Sequence, residues 1–143
     1  MIQRIQTIYL LGIIIISSLL LLLPYVELEF PDHKEAITFL NDTYHIPQKY
    51  GPISIAGVSI ILSIITIFSY KNRKRQMRFC MALLVFGVLL TTRSIMPETP
   101  YNNAIPHYSF ILYLPVANIV FAVLARRAIK KDDDLVRSAD RIR

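Results

Sequence analysis

Reactive side chains are sparse in this chain, and their spacing is poor for chemistry. The three histidines are His33, His45 and His107. None has a second histidine or cysteine at the short interval that lets ligands converge on one metal ion. Haem held across helices would need histidines inside the apolar segments, where there are none. The lone cysteine, Cys80, can form neither an internal disulfide nor a Cys-x-x-Cys redox pair, and its expected role is that of a small apolar side chain in a packing face. Four glycines are too few for a phosphate-cradling loop. There is no nucleophile elbow, and no carboxylate lies within an apolar segment to relay protons. The expectation is a protein that is not an enzyme and that carries no metal or cofactor.

The informative polar residues lie within or beside apolar stretches. Ser59, Ser63 and Thr66, spaced by four and three, fall on one side of a helix, where small side chains let a neighbouring helix approach. Arg93 closes an apolar stretch; it can reach Glu98, Glu27 or Glu29 at an interface, or meet an anionic ligand or lipid headgroup. Pro115, with Asn118 three residues on, reads as a kink with a polar neighbour or as a pocket inside a helix bundle. At the carboxyl end, Arg126, Arg127, Lys130 and Lys131 are suited to anionic headgroups. Leu135, Val136, Ala139 and Ile142 make an apolar stripe there, with Asp133 able to pair with Arg137 four residues on. Together with Asp140 and Arg141, these residues are the candidate contacts to lipid or to a docked protein.

The elements that position these residues are set by four apolar blocks: Ile5 to Leu23, Ile53 to Tyr70, Phe79 to Met96, and Tyr108 to Ala125. Each is about 18 residues, or about 27 Å as a helix, close to the hydrocarbon thickness of a bilayer. Hydrophobic residues are 54% of the chain and the mean hydropathy is +0.46. Runs such as Ile13 to Ile16 and Leu19 to Leu23 are apolar all the way round, unlike the helices of a soluble bundle. The predicted fold is all-α, an integral membrane four-helix bundle with spans near 5–24, 53–70, 78–96 and 108–128. An inner loop covers 71–77, outer loops cover 25–52 and 97–107, and a helical tail covers 129–143.

Thirteen of the 16 basic residues fall on one side: Arg4, the 71–78 cluster and the tail. Basic flanks stay cytoplasmic, which places both termini inside. The pI of 9.6 follows from that topology, and no basic stripe with interleaved aromatics points to nucleic acid. The first block resembles a secretory signal but lacks a small-x-small cleavage site, so it is expected to remain as the first span. In the outer segment, Tyr25 to Phe30 alternates like a strand. Asp32 and Glu35 then read as a capping box for a short amphipathic helix bearing Ala36, Ile37, Leu40 and Tyr44 on one face.

The opening Met1 to Thr7 with Tyr9-Leu10, the loop Lys71-Asn72-Arg73-Lys74 followed by Gln76, Arg78 and Cys80, and the tail Ala125 to Asp132 leading to Leu135 to Arg143 resemble one known family. It is domain-of-unknown-function family 4293, a four-span inner-membrane family of Bacteroidota. The resemblance covers the whole chain and is most specific in the tail. It implies a bacterial inner membrane and supplies no activity, cofactor or site. The expected function is that of an accessory or scaffold subunit whose partners are the lipid bilayer and another membrane or cytoplasmic protein. The alternative is a lipid or small-molecule binding or transport protein with a cavity near Arg93 and Asn118.

Overall fold

The computed structural model describes residues 5–29, 34–38, 50–95 and 105–140. It contains four α-helices: α1 (Ile5–Leu22), α2 (Tyr50–Phe68), α3 (Arg73–Ile95) and α4 (Leu114–Asp140). Three strands, β1 (Pro24–Glu29), β2 (Lys34–Thr38) and β3 (Ile105–Tyr108), form one antiparallel sheet in the order β2-β1-β3. Three helical stretches, Ile5–Leu22, Arg73–Ser94 and Phe110–Ser138, are long and apolar enough to cross a membrane; Ile53–Phe68 in α2 is a shorter apolar stretch.

The helices pack through a repeating three-four spacing. Gln6, Leu10, Ile13, Ser17 and Leu20 are buried on α1, and Gln76, Cys80, Leu83, Gly87, Leu90 and Ser94 on α3. Ala56, Ser59, Ser63 and Thr66 follow the same rhythm on α2, as do Pro115, Asn118, Ala122, Ala125 and Ile129 on α4. Alternation of three and four keeps one seam of each helix against its neighbours. α1 packs on α2 and α4, and α3 packs on the same two helices. Glycine permits the closest approaches. A Cβ at Gly87 would lie 2.9 Å from Ile119 Cγ1 and 3.5 Å from the Ile119 backbone nitrogen. Gly12 seats the Phe121 ring, which also meets Tyr9 with centroids 6.2 Å apart.

Burial is inverted relative to a water-soluble bundle. The seams hold Gln6, Ser17, Ser59, Ser63, Thr66, Gln76, Ser94 and Asn118, all at most 4% exposed. The outward faces hold Ile8, Ile15 and Leu22 on α1, Ile61 and Phe68 on α2, Val85 and Val88 on α3, Tyr113 just before α4 and Val120 on it, all more than half exposed. Water around such faces would make them a large apolar patch.

At the sheet end, Tyr25 packs with Leu20 and Ile111, and its carbonyl accepts a hydrogen bond from the Ser109 amide at 3.0 Å. β1 forms where the alternating pattern predicts a strand. The amphipathic helix predicted to follow it is replaced over 34–38 by β2; residues 39–49, including Leu40 and Tyr44, lie outside the described residues. The reason is non-local: β1 offers a complete ladder from Glu29↔Lys34 to Val26↔Ile37, and β-branched Ile37 and Thr38 suit it better than an isolated helical turn. The fold is thus not purely α: a small sheet joins the four helices.

Pro115, expected to kink the fourth helix, starts it instead. It is the second residue of α4, after a 3-10 turn over Phe110–Tyr113. There its missing N–H belongs to the set a helix start leaves without intrahelical partners, so no kink or freed carbonyl arises.

Candidate functional site

The chain's most elaborated polar structure lies at the end opposite the sheet, where the start of α1, the α2–α3 turn and the second half of α4 meet. Asn72 caps α3, its Oδ1 accepting a hydrogen bond from the Arg75 amide at 3.1 Å. Gln76 is 1% exposed and donates through Nε2 to the Thr66 carbonyl at 2.9 Å, tying the start of α3 to the end of α2. That capped turn aims Arg73 at α4. Arg73 Nη1 donates to the Asp132 carbonyl at 2.9 Å, and Nη2 lies 3.3 Å from Asp132 Oδ2. Ile129, fully buried one turn earlier, joins the core of Leu10, Cys80, Leu83 and Ala125.

α4 therefore does not stop at the basic flank of its apolar segment. It runs on as an arm, held at Asp132 by Arg73 and stiffened by the Asp133–Arg137 pair at 3.0 Å. Arg126, Arg127, Lys130 and Lys131 are exposed along it, with Leu135 at 60% and Val136 at 43% exposure. The arm divides two hollows. On the α1 side a groove of about 500 Å³ has Ile5, Gln6, Tyr9 and Leu124 in its walls and Arg127, Lys131 and Leu135 along its rim. A pocket of about 390 Å³ bounded by Arg127, Lys130, Lys131, Asp134 and Leu135 adjoins that rim. On the α3 side a hollow of about 560 Å³ lies between Tyr70, Lys71, Lys74 and Val136.

The sequence candidates are thus partly assembled. Arg127, Lys130, Lys131 and Leu135 share one pocket, Val136 lines another, and Arg137 is engaged within the arm. Asp140 ends α4, and Arg141 lies outside the described residues. Arg93 and Asn118 are not brought into one buried site. Arg93 is exposed in the last turn of α3 and makes no ion pair among the described residues; Glu29 pairs with His107 at 3.2 Å, and Glu98 is not described. Asn118, 3% exposed, donates through Nδ2 to Ser17 Oγ at 3.2 Å, joining α4 to α1. Ser59 returns its hydroxyl to the Ile55 carbonyl at 2.8 Å, whereas Ser63 Oγ, Gln76 Oε1 and Asn118 Oδ1 have no partner among the described residues.

Sequence reasoning missed Arg73 with Asp132, Gln6 with Tyr9, and Ser17 with Asn118. The polar members Gln6, Ser17 and Gln76 could have been found: each sits at three-four spacing from its helix's apolar seam positions. The Arg73–Asp132 contact spans 59 residues and left no local signal. Among the described residues no group of three or more His, Cys, Asp or Glu side chains is placed to hold a metal ion.

Fold and site define a small helical protein, three of whose helices are long and apolar enough to span a membrane, with a charged helical arm at one end. The chain matches the family described as Domain of unknown function (DUF4293) over residues 2–142, and it belongs to that family. No curated protein and no solved structure matches it.

Proposed function

We propose that this protein is a non-enzymatic scaffold of the bacterial inner membrane: a four-helix bundle crossing the bilayer four times, with both termini in the cytoplasm, that holds out an arm to a protein partner. Embedding is supported by the inverted burial, since the outward Ile, Leu, Val and Phe faces suit lipid while small and polar side chains fill the seams. α2, apolar over Ile53–Phe68, is about 28 Å long over its full 19 residues and is the fourth span in this reading. Orientation is supported by the gathering of the basic clusters at one end, as cytoplasmic flanks require.

The observation that carries the scaffold reading is the Arg73 clamp on an arm with exposed Leu135 and Val136. From Arg126 to Asp140 the arm rises about 20 Å, beyond a headgroup layer of roughly 5–8 Å. A stiff helix beyond the lipid, with apolar side chains on two of its faces, suits helix-in-groove recognition. A photo-crosslinking residue at Ser138, which is exposed, tests this in native membranes. The expected result is one dominant protein adduct, lost when Leu135 and Val136 are both changed to Glu. A chain that forms no adduct, or the same adducts with and without those changes, would contradict the reading.

A further inference from the structure

We propose that the groove between α1 and the arm is a binding site for one anionic phospholipid from the leaflet at the basic end. The groove and the pocket beside it share Arg127, Lys131 and Leu135 as common walls, so they adjoin along the arm. Their chemistry changes in order along α4. Leu124 and Tyr9 of α1 both line the groove within the apolar segment, and Lys131 lies seven residues beyond Leu124, about 10 Å along the helix. An acyl chain against Tyr9 and Leu124 would therefore set its phosphate beside Arg127 and Lys131, with Lys130 at the pocket's outer side.

Two observations separate this hollow from a generally basic surface. Asp132, the acid lining the groove, is already held by Arg73, and Asp134 borders the adjoining pocket, whereas Arg127 and Lys131 make no ion pair among the described residues, so three cations stand against one free acid. Charge complementarity at the rim is thus unfilled, and a phosphodiester matches it. Gln6 lines the groove at 4% exposure, and its amide makes no hydrogen bond among the described residues. Its amide atoms are not fully enclosed, and a lipid's phosphate or ester oxygens within the hollow would accept hydrogen bonds from its N–H groups. A free anion would fill the rim and leave the apolar wall empty, so the occupant is a lipid.

The inference rests on the proposed membrane embedding but not on a protein partner, and embedding is tested separately by labelling from outside the cell. The full-length protein is reconstituted with equal amounts of phosphatidylglycerol and phosphatidylcholine, extracted in mild detergent, and weighed by native mass spectrometry. The expected result is one retained phosphatidylglycerol per chain at about tenfold preference, with about tenfold less retained by R127Q/K131Q. K71Q/K74Q removes the same charge from the other hollow and leaves retention unchanged. Should R127Q/K131Q fail to fold, K131Q alone is expected to lose about threefold, and Q6L to lose retention without any change in charge. Equal retention of both lipids, equal losses in the two double variants, or displacement of the lipid by millimolar inorganic phosphate would overturn the site.

Discussion

Arg73 is the place to test whether the arm is held or merely continues from α4. Its guanidinium makes a charge-assisted hydrogen bond to the Asp132 carbonyl and an ion pair with the Asp132 carboxylate, with the two side chains 21% and 39% exposed. At that exposure the ion pair contributes about 0.5 kcal/mol. The bond to the carbonyl contributes about 1.5 kcal/mol, the low end for a charged donor. Arg73→Met removes both and keeps the aliphatic stem, so local opening of the arm should rise about 30-fold for a loss of about 2 kcal/mol. Asp132→Asn removes only the ion pair and leaves the carbonyl in place, so opening should rise about twofold. Hydrogen exchange of the amides from Ile129 to Val136, measured in detergent or nanodiscs, reads these ratios directly. Equal effects from the two variants, or unchanged exchange in Arg73→Met, would refute a clamp made chiefly through the backbone carbonyl.

Gly87→Ala should destabilise the protein by about 1–2 kcal/mol in a denaturation titration, because its Cβ meets the stiff, β-branched Ile119; the same change in an Ile119→Ala background should be neutral or stabilising. Gly57→Ala, with nothing within 4 Å of the added methyl, should stabilise by up to about 1 kcal/mol in the same titration. Asn118→Ala should cost about 1 kcal/mol through the lost bond to Ser17, and Ser17→Ala combined with it should add little, as a double-mutant cycle would show. Arg93→Gln should change stability by less than about 0.5 kcal/mol, since the side chain is exposed and unpaired among the described residues.

The helices were legible because their cause is local. Runs such as Ile13 to Ile16 announce an apolar helix wherever they occur, and the serines and threonine of α2 already mark its packing face by spacing alone. The continuation of α4 was legible for the same reason, since nothing between Ala125 and Lys131 breaks a helix. β2 was not, because Lys34 to Thr38 becomes a strand only through pairing with β1, and the Asp32–Glu35 spacing favoured the local alternative. Pro115 misled because a proline inside an apolar block marks a kink or a helix start equally well. What decided between them was β3 and the 3-10 turn, which delay α4 until Leu114. At the basic end, the cations were visible as a charge cluster. Their division into Arg73, which clamps Asp132, and Arg127 with Lys131, which rim the groove, depends on which helix each faces, and that is a tertiary property.

Membrane crossing with both ends inside is most directly tested by single cysteines placed at Tyr108 and Ser138, exposed residues of β3 and the arm. Native Cys80, with no exposed surface, is a silent background for the label. A membrane-impermeant maleimide added to cells whose outer barrier has been opened should label Tyr108→Cys at once and Ser138→Cys only after the inner membrane is lysed. Labelling of Ser138→Cys before lysis, or of both sites together at the same rate, would contradict a bundle that keeps its basic end in the cytoplasm.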